Sequence, residues 1–467
     1  MTRFIQRVAA AVAATCFLAS ALHSQACTIV SGVDTDGITW AGNNEDMFFH
    51  FETSLKVLPR SEGRLGAFIV TYNDGFPQGG VNEKGLFFDF NALSPVGIEN
   101  YRNWDNKLDI PAGVNIIIEM LQRYDSVHDA LEYLDQFRSL EMLAAQIHIA
   151  DAQGNLAVFS GEGICYKKRY QVSTNFRVCV GDIDNSLAAD PKGRWRYPVA
   201  DATLKSGVDF SSIKTTLSKT ARKKYVSTIY SFITDLDTTE THLYYGGDFN
   251  HSYDFNVKEI ADQGASSILM RDLFPDAPLV KLWQAYKYNG VEAALNYFRT
   301  ETTHMDAFAR RELLRHLYTN LLLDIDPKSL DISAAQVLFD EWMKGEGNGT
   351  ELYYQGIFAL ANGDTEKART IYKSMVSDAD NSRNSQLAQQ VIDRLDGKAV
   401  SNANVHVELE GHGDAQFVYV NGLSKSTQFF DFMTPTETGW VGDFNALYPD
   451  ANYQIVVDGI VVKRRGE

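Results

Sequence analysis

Short hydrophobic runs alternate with polar turns along residues 27 to about 250. The segment "CTIVSGVDTDGITWAGNN" predicts two strands joined by a turn at Asp36 and Gly37, because Asp-Gly favours hairpin turns. The segment "AGVNIIIEMLQRYDSVHDALEYLDQF" has the apolar spacing of two short helices. Helices interleaved with strands predict an α+β fold in which helices cover sheets. Further runs of β-branched and aromatic residues predict strands at "GAFIVTYND", "LFFDFNAL", "LAAQIHIAD", "LAVFS", "YQVSTNF", "STIYSFITDL" and "HLYYGGDF".

The pattern becomes helical after about residue 255. Two segments, "LVKLWQAYKYNGVEAALNYFRTE" and "DAFARRELLRHLYTNLLL", place apolar residues on one helical face, and "GTELYYQGIFALANGDTEKARTIYKSMV" predicts a helix, a tight turn and a second helix. Gly356, Ala368 and Tyr372 have tetratricopeptide spacing, although an ordinary helical hairpin explains the pattern equally well. We therefore expect the helices from 277 to 395 to form a small TPR-like array.

Strand patterns return at residues 404–464, and they predict a small β-sandwich. The predicted domains are an α+β domain at residues 27–255, a helical region at 256–398 and a β-rich domain at 399–467. The last two contain no cluster of catalytic residue types. We expect them to serve in packing or interaction, with the helical region contacting a protein partner or a second copy of the chain.

The first residues have the features of an export signal. A basic start precedes an almost wholly apolar or small stretch at residues 8–22, and Ser24 and Ala26 occupy the small-residue positions of a signal-peptidase site. We therefore expect removal of residues 1–26, which makes the mature protein secreted or periplasmic. No later stretch approaches the roughly 20 apolar residues that a membrane-spanning helix needs, so no membrane span is expected.

Composition narrows the classes of partner. The chain carries 43 Lys and Arg against 60 Asp and Glu, with a formal net charge of −17. That acidity argues against nucleic acid or an anionic membrane as a partner. The 45% of hydrophobic residues and 22% of charged residues indicate a globular protein, and 467 residues are too many for one ordinary core.

The cysteines suit an oxidising compartment. Cys16 lies in the predicted signal peptide and is removed with it. Cys165 and Cys179 either form a disulfide across adjacent strands or remain buried, unreactive thiols. Cys27 is then the odd cysteine and a candidate free thiol.

Two hypotheses compete for Cys27. As the lipid-modified cysteine of a bacterial lipoprotein it would anchor a binding protein, but Ser24 and Gln25 are atypical of such sites, and "CTIV" begins a strand instead of a polar tether. As an N-terminal nucleophile, Cys27 would gain an α-amine with a pKa of about 7.7 to 8, which can take the proton of its own thiol. Signal removal would then also activate the enzyme.

Four separated motifs carry a family resemblance. "CTIV", "AGNNEDMF", "PQGGVNEKGLFFDFNAL" and "VSTNF", in this order, resemble the N-terminal nucleophile hydrolases of the choloylglycine hydrolase and penicillin V acylase family, together with related linear-amide hydrolases and acyltransferases. The resemblance covers residues 27 to about 250. It implies an αββα sandwich, a small-molecule amide as substrate and no cofactor.

The resemblance also implies a role for each motif residue. Cys27 supplies the thiolate and, through its α-amine, the base. Asp46 presents a carboxylate to the ammonium or the thiol. Asn175 donates its side-chain amide to the tetrahedral oxyanion, and the backbone N–H of Asn91 is the second donor.

Two positions depart from the family pattern. Asn43 stands where the family usually has an arginine, which removes a fixed positive charge that would lower the thiol pKa. The family has a second arginine. In this sequence Arg196 in "GRWRYP" is the first candidate for it, and Arg222 in "TARKKY" is the weaker candidate.

The sequence therefore predicts an exported hydrolase that cleaves a linear, non-peptide C–N amide through an acyl-thioester on Cys27. An N-acyltransferase, a dipeptidase of the same fold and a non-catalytic, lipid-anchored binding protein are the alternatives. Metal chemistry is not expected, because His148, His242 and His251 lack metal-ligand spacing and no HExxH or CxxC motif occurs. Several aromatic residues either line an acyl pocket or belong to the core. They are Phe48, Phe49, Phe51 and those of "LFFDF".

Overall fold

The structure is a computed structural model, and it divides the described residues into two compact units. One unit lies within Pro275–Ala403, and the other combines residues before 275 with residues after 403. The predicted signal peptide and Phe48, Phe49 and Phe51 lie outside the described residues. The described residues are 27–47, 53–72, 76–93, 96, 98–111, 113–139, 141–179, 195–222, 227–305, 307–323, 331–344, 351–362, 364–376, 388–389, 392, 395, 405–412, 418–423, 428–436, 438–444, 453–457 and 460–464.

The part of the chain before residue 275 mixes strands and helices, which confirms the predicted mixed composition. Its strands are β1 (Thr28–Val33), β2 (Thr39–Met47), β3 (Thr53–Leu58), β4 (Ala67–Tyr72), β5 (Pro77–Asn82), β6 (Phe87–Ala92), β7 (Leu108–Asp109), β8 (Phe137–Arg138), β9 (Ala145–Ala150), β10 (Leu156–Ser160), β11 (Gly163–Lys167), β12 (Tyr170–Ser173), β13 (Ser227–Asp235), β14 (Glu240–Tyr245), β15 (Asp248–Asn256) and β16 (Ser266–Leu269). Its α-helices are α1 (Ile116–Arg123), α2 (Val127–Leu134), α3 (Arg196–Ser206), α4 (Phe210–Thr220) and α5 (Val257–Asp262).

Two antiparallel sheets organise this part of the chain. The first has six strands in the order β12-β1-β2-β13-β14-β15, and the second has eight in the order β11-β10-β9-β6-β5-β4-β3-β16. Strands β1 and β2 form the predicted hairpin, and Gly37 adopts a φ of 89° in its turn. Glycine reaches this left-handed conformation without a steric penalty, which explains the Asp-Gly signal.

The inner faces of the two sheets meet, and helices cover the outer faces. The ring of Phe232 in the first sheet contacts the rings of Phe68 and Phe87 in the second, with centroids 5.3 and 5.7 Å apart. Helices α3 and α4 cover the first sheet, where Leu204 and Leu217 join a buried cluster. Helices α1 and α2 cover the second sheet through their own buried apolar faces. The protein therefore has buried side chains both between the two sheets and beneath the helices.

Local side chains fix where these helices begin. Asn115 caps α1 by accepting hydrogen bonds from the backbone N–H groups of Ile117 and Ile118. At α4, Asp209 and Ser212 form a capping box, in which each side chain bonds the other residue's backbone N–H. Such caps stabilise a helix end by about 1 kcal/mol and set its first residue.

Cys165 and Cys179 form a disulfide, which settles the alternatives left open by the sequence. Cys165 lies on the edge strand β11, and the two cysteines are 14 residues apart. Cys27 is the free cysteine among the described residues.

Replacing both Cys165 and Cys179 by serine is expected to lower the free energy of unfolding by about 3 kcal/mol, because a crosslink over a loop of this length restricts the unfolded chain. Denaturant unfolding of the wild type and the double variant measures the difference. Reduction of the wild type should reproduce the loss, and reduction of the double variant should change nothing. Equal stability of the oxidised wild type and the double variant would contradict the disulfide.

The second unit is helical. Gly356 of its fourth helix lies against the ring of Tyr372 in the fifth, where an added Cβ would come within 2.4 Å of the ring. This contact explains a glycine at position 356, while the TPR-like interpretation stays a prediction. The first helix is interrupted at Gly290, which has a φ of 82°. The helices are α6 (Pro278–Glu301), α7 (Ala307–Leu323), α8 (Ile332–Trp342), α9 (Glu351–Ala361) and α10 (Thr365–Val376).

Strands return after residue 404, as the sequence predicts. One sheet has three strands in the order β17 (Val405–Glu410), β21 (Gly439–Phe444) and β20 (Thr434–Pro435). A second sheet has four strands in the order β19 (Gln428–Phe432), β18 (Val418–Leu423), β22 (Tyr453–Val457) and β23 (Ile460–Arg464). The β-sandwich and the three domain boundaries remain predictions. None of the helices in the described part of the chain is long and apolar enough to span a bilayer.

Candidate active site

Cys27 immediately precedes β1 and is 1% exposed. Because Thr28 pairs with Asn44 across the hairpin, Cys27 comes to lie beside Glu45. The Cys27 thiol donates a hydrogen bond to Glu45 Oε2 at 3.3 Å. The backbone N–H of Asp46 also bonds the sulfur. The thiol therefore faces the end of β2.

Alternation along β2 sends its polar side chains in two directions. Asn43 and Glu45 face the second sheet, where Asn43 Nδ2 donates to Asp89 Oδ2 at 2.7 Å and Glu45 accepts a hydrogen bond from the Tyr72 hydroxyl. Asn44 faces the helices and donates to the carbonyl of Leu217 in α4 at 2.8 Å. Polar side chains of β2 therefore project both into the space between the sheets and into the layer between the first sheet and helices α3 and α4.

Asp46 lies on the helix-facing side and is held by two groups. Arg196, the first residue of α3, places Nη1 3.4 Å from Asp46 Oδ2, and both side chains are fully buried. The hydroxyl of Thr228 donates to Asp46 Oδ1 at 2.5 Å. Thr228 pairs with Asp46 and Tyr230 with Glu45, so the residue between them forms a β-bulge. This bulge places Thr228 opposite Asp46 and Tyr230 opposite Glu45.

Arg196 links Asp46 to Asn175. Its Nη2 donates to Asn175 Oδ1 at 2.6 Å, and its Nη1 also donates to Thr28 Oγ1 at 3.3 Å. One N–H of the Asn175 amide donates to the carbonyl of Ala92 at 2.8 Å. Among the described residues, the second N–H of that amide has no hydrogen-bond acceptor.

Asn91 completes the group around Cys27. It lies on β6, and its Nδ2 donates to the backbone carbonyl of Cys27 at 3.5 Å. Gln146 on β9 holds the Asn91 side chain by donating to its Oδ1 at 3.3 Å. The five residues chosen from the sequence, namely Cys27, Asp46, Asn91, Asn175 and Arg196, are therefore connected by direct contacts or by one intervening group.

Arg196 and Arg222 differ in their relation to Asp46. Arg196 contacts the carboxylate directly, whereas the charge of Arg222 makes a smaller contribution that lowers the Asp46 pKa. The backbone N–H of Arg222 donates to Thr228 Oγ1 at 2.8 Å. Arg196 is therefore the arginine placed within the connected group.

The surroundings of Cys27 disfavour its thiolate. Burial raises the pKa of the Cys27 thiol well above its usual range, and the charges of Glu45, Asp46 and Asp89 raise it further. Asn43 contributes no positive charge to offset them. A neutral thiol is therefore the stable form in this environment.

The neighbouring carboxyl groups also hold protons more tightly than usual. Burial raises the pKa of Glu45 to about 8, although hydrogen bonds from Tyr72 and Cys27 lower it. Burial raises the pKa of Asp46 to about 6, against the positive charge of Arg196. Burial and the charge of Glu45 raise the pKa of Asp89 well above its usual range. Asp46 is therefore more acidic than Glu45.

Sequence reasoning missed Glu45, Tyr72, Asp89 and Tyr230. Glu45 carried a signal, since two adjacent acids in "NNED" must face opposite sides of a strand. Asp89 carried another, as a single acid in the apolar run "LFFDF". Gly79 on β5 makes room for it, because an added Cβ would lie 2.1 Å from Asp89 Oδ2.

His148 has a structural environment. It lies fully buried between the hydroxyls of Ser31 and Ser173, with nitrogen–oxygen distances of 2.6 and 2.9 Å. Burial lowers the His148 pKa to about 3, so the imidazole is neutral. Within the described ranges, no group of three or more His, Cys, Asp or Glu residues is arranged to hold a metal ion.

Comparison with solved structures finds similar proteins. Penicillin V acylase from Agrobacterium tumefaciens matches at 15% identity and a TM-score of 0.38, over 54% of this chain and 89% of that chain. Two variants of conjugated bile acid hydrolase from Clostridium perfringens match at 15% and 16% identity, with TM-scores of 0.38 and 0.39, over 52% of this chain and 96% of theirs. These neighbours come from the family that the sequence motifs resemble. No protein-family model matches the sequence, and neither does any curated protein.

Proposed function

We propose that this protein is an exported cysteine hydrolase that cleaves a linear, non-peptide C–N amide bond. The main support is the connected group in which Asp46, Arg196 and Asn175 meet beside the buried thiol of Cys27. A thiol nucleophile and a hydrogen-bond donor are two of the parts that acyl transfer uses, and the ion pair of Arg196 and Asp46 holds that donor in place.

The proposed reaction begins with removal of residues 1–26, which gives Cys27 a free α-amine. The thiol sulfur attacks the substrate carbonyl carbon, and the thiol proton passes to a base, for which the family resemblance implies this amine. The resulting tetrahedral oxyanion accepts hydrogen bonds from the available N–H of Asn175 and from the backbone N–H of Asn91. As the intermediate collapses, the base gives this proton to the leaving nitrogen and the C–N bond breaks, which releases the amine and leaves an acyl-thioester that water hydrolyses.

Arg196 and Asp46 act as positioning residues in this proposal. Arg196 holds Asn175 Oδ1 at 2.6 Å, which directs the amide nitrogen away from the guanidinium. Asp46 neutralises that guanidinium and orients it from the other side. The oxyanion donor is therefore fixed before substrate binds, which reduces reorganisation during the reaction.

The proposed function is tested on the exported protein by mass spectrometry and by hydrolysis of amides. Penicillin V, a conjugated bile acid and a dipeptide are the first substrates, because the first two are named in the structural neighbours and the third tests the dipeptidase alternative. An N-terminal Cys27 and release of amine from an acylated amide would support the proposal. A lipid on Cys27, or retention of the residues before it, would contradict it.

Asn175→Ala is expected to lower kcat by about 10²–10³-fold, because one donor to the oxyanion is lost. Steady-state kinetics on the best amide measures the effect, and KM should change much less. Gln171→Ala is the matched control, since Gln171 is a buried amide on β12 that donates to the carbonyl of Val172. Equal losses of kcat in both variants would argue against a specific role for Asn175.

A further inference from the structure

Gln146 is a buried amide that joins the two sheets beside the candidate active site. It lies on β9 of the second sheet and is 1% exposed. Its Nε2 donates to the carbonyls of Thr174 and Phe176 at 2.9 Å each, and its Oε1 accepts a hydrogen bond from the backbone N–H of Val178 at 3.3 Å. Residues 174–178 follow β12 of the first sheet. One side chain of the second sheet therefore holds a segment of the first.

The residue between the two bonded carbonyls is Asn175, the side-chain oxyanion donor of the proposed function. The backbone N–H of Phe176 donates to the Thr174 carbonyl at 2.8 Å, which makes a three-residue γ-turn centred on Asn175. Gln146 bonds the carbonyls of the residues before and after this centre. It therefore fixes where the Asn175 side chain leaves the backbone, while Arg196 holds the amide at its end.

The same amide also reaches Asn91. Gln146 pairs with Asn91 across β9 and β6, so the two side chains lie on the same face of the second sheet. Gln146 Nε2 lies 3.3 Å from Asn91 Oδ1, and this contact directs Asn91 Nδ2 toward the Cys27 carbonyl. The two hydrogens of Nε2 serve three acceptors, so this longer contact shares a hydrogen with one of the carbonyls. Gln146 therefore connects Asn91 with the turn that carries Asn175.

Other contacts restrain the later part of the same segment. Arg177 pairs with Glu162, and Cys179 is crosslinked to Cys165. These anchors act on residues 177–179, whereas the bonds of Gln146 act on the turn itself. A buried amide is costly unless its polar atoms are bonded, and a buried apolar side chain carries no such requirement. The contacts of Gln146 therefore indicate a task that an apolar side chain at this position would not perform.

We propose that Gln146 is a positioning residue for the reaction, which sets the Asn175 amide and the Asn91 segment against the carbonyl of the bound amide. The inference rests on the proposed function. Oxyanion donors accelerate acyl transfer only when they point to the place where negative charge develops. Gln146 acts through Asn175 and Asn91 and takes no part in proton transfer, so its loss should leave the nucleophile and base in place and misdirect the donors.

Gln146→Met tests this role, because methionine keeps the length of the side chain and removes its hydrogen bonds. It is expected to lower kcat by about 10²-fold, the cost of a misplacement of about 1 Å. KM should change much less, because the oxyanion forms only during the reaction. Steady-state kinetics of the exported protein measures both constants on penicillin V or the conjugated bile acid, whichever the wild type hydrolyses.

A double-mutant cycle separates positioning from general damage. In the Asn175→Ala background, Gln146→Met should lower kcat by a much smaller factor than in the wild type, because the main donor that it positions is already gone. An equal factor in both backgrounds would overturn the proposal, and so would a wild-type kcat in Gln146→Met.

Two further variants complete the kinetic test. Gln146→Glu keeps the side-chain length and the acceptor for Val178, and burial favours its protonated form, which can donate once. It should recover part of the rate that Gln146→Met loses, and it replaces Gln146→Met in the cycle if that variant does not fold. Asn82→Ala is the matched control, because Asn82 is a fully buried amide that donates to the carbonyls of Leu121 and Tyr124 at 2.8 and 2.7 Å, beneath α1. It should keep the wild-type kcat, and an equal loss in Asn82→Ala and Gln146→Met would contradict a specific role for Gln146.

A second readout needs no substrate. Amide hydrogen exchange, followed by mass spectrometry of peptides that cover residues 172–179, should be faster in Gln146→Met, because the N–H of Val178 loses its acceptor. Asn82→Ala should leave exchange in this segment unchanged. Unchanged exchange in Gln146→Met would overturn the proposal.

The two readouts distinguish failure of this inference from failure of the proposed function. A wild type that hydrolyses no amide, but whose exchange at residues 172–179 depends on Gln146, would contradict the proposed function and leave the link between Gln146 and the turn supported. A wild type that hydrolyses an amide through Cys27, but whose kcat is indifferent to Gln146, would contradict this inference alone.

Discussion

Replacement of Cys27 by alanine is expected to abolish amide hydrolysis, with a fall in kcat of about 10⁶-fold, because the acyl-thioester has no atom on which to form. The loss should appear at every pH. Steady-state kinetics measures it, and acid quenching followed by intact-mass analysis should show an acyl adduct on the wild type and none on Cys27→Ala.

Ser31→Ala provides the matched control for this substitution. Ser31 lies on β1, is fully buried like Cys27, and bonds His148 outside the connected group. It should retain hydrolysis and the acyl adduct. Measurable Cys27-independent hydrolysis, or an adduct on another residue, would contradict the covalent mechanism.

The amino-acid pattern predicted the mixed α+β composition and its local elements well. Asp36 and Gly37 form the turn of the first hairpin, and the segment from 112 to 137 contains two helices. Both signals are local, since a turn residue or a helical apolar spacing depends on neighbours in the chain. The burial of Phe87, Phe88 and Phe90 likewise places the aromatic residues of "LFFDF" in the core.

Contacts between segments that are distant in the sequence could be identified only from the structure. The pairing of Cys165 with Cys179 could not be chosen from spacing, because two cysteines bond only if their side chains lie close and point together. Arg196 was a candidate site residue from the sequence, but its hydrogen bond to Asn175 depends on how α3 packs against the first sheet. Asp89 was missed because it approaches the thiol from the opposite sheet.

The acidic surroundings of Cys27 change the interpretation of Asn43. From sequence, Asn43 appeared only as the loss of a positive charge near the thiol. In the structure it also orients Asp89 and accepts a hydrogen bond from the backbone of Phe232 at 3.0 Å, so it joins the two sheets beneath Cys27. The site therefore combines a neutral thiol with protonatable carboxyl groups, and a base is needed to generate the thiolate.

The ion pair of Arg196 and Asp46 is expected to dominate the stability of the site. Arg196→Met should lower the free energy of unfolding by about 3–5 kcal/mol, because it leaves a buried carboxylate without its partner. It should also lower kcat, since Asn175 loses the bond that orients it. Denaturant unfolding and steady-state kinetics measure the two effects.

The pH dependence of this loss identifies its cause. The Asp46 pKa is raised to about 6 in the folded protein, so its contribution to stability is present at low pH and is lost as pH rises through about 6. Removing Arg196 should raise that pKa further, because a positive charge that lowers it is gone. The destabilisation by Arg196→Met should therefore be small below about pH 6, where Asp46 is protonated in both folded proteins, and should grow as pH rises above it.

A double-mutant cycle and a distant control complete the test. Asp46→Asn in the Arg196→Met background should recover part of the lost stability and remove its pH dependence, because no buried charge remains to be compensated. Arg315→Met breaks another buried ion pair, with Glu312 in α7, and should destabilise the helical unit without changing kcat. If Asp46→Asn instead adds its own full penalty to that of Arg196→Met, the two residues are not coupled. Asp46 would then have to act on Cys27 independently of Arg196.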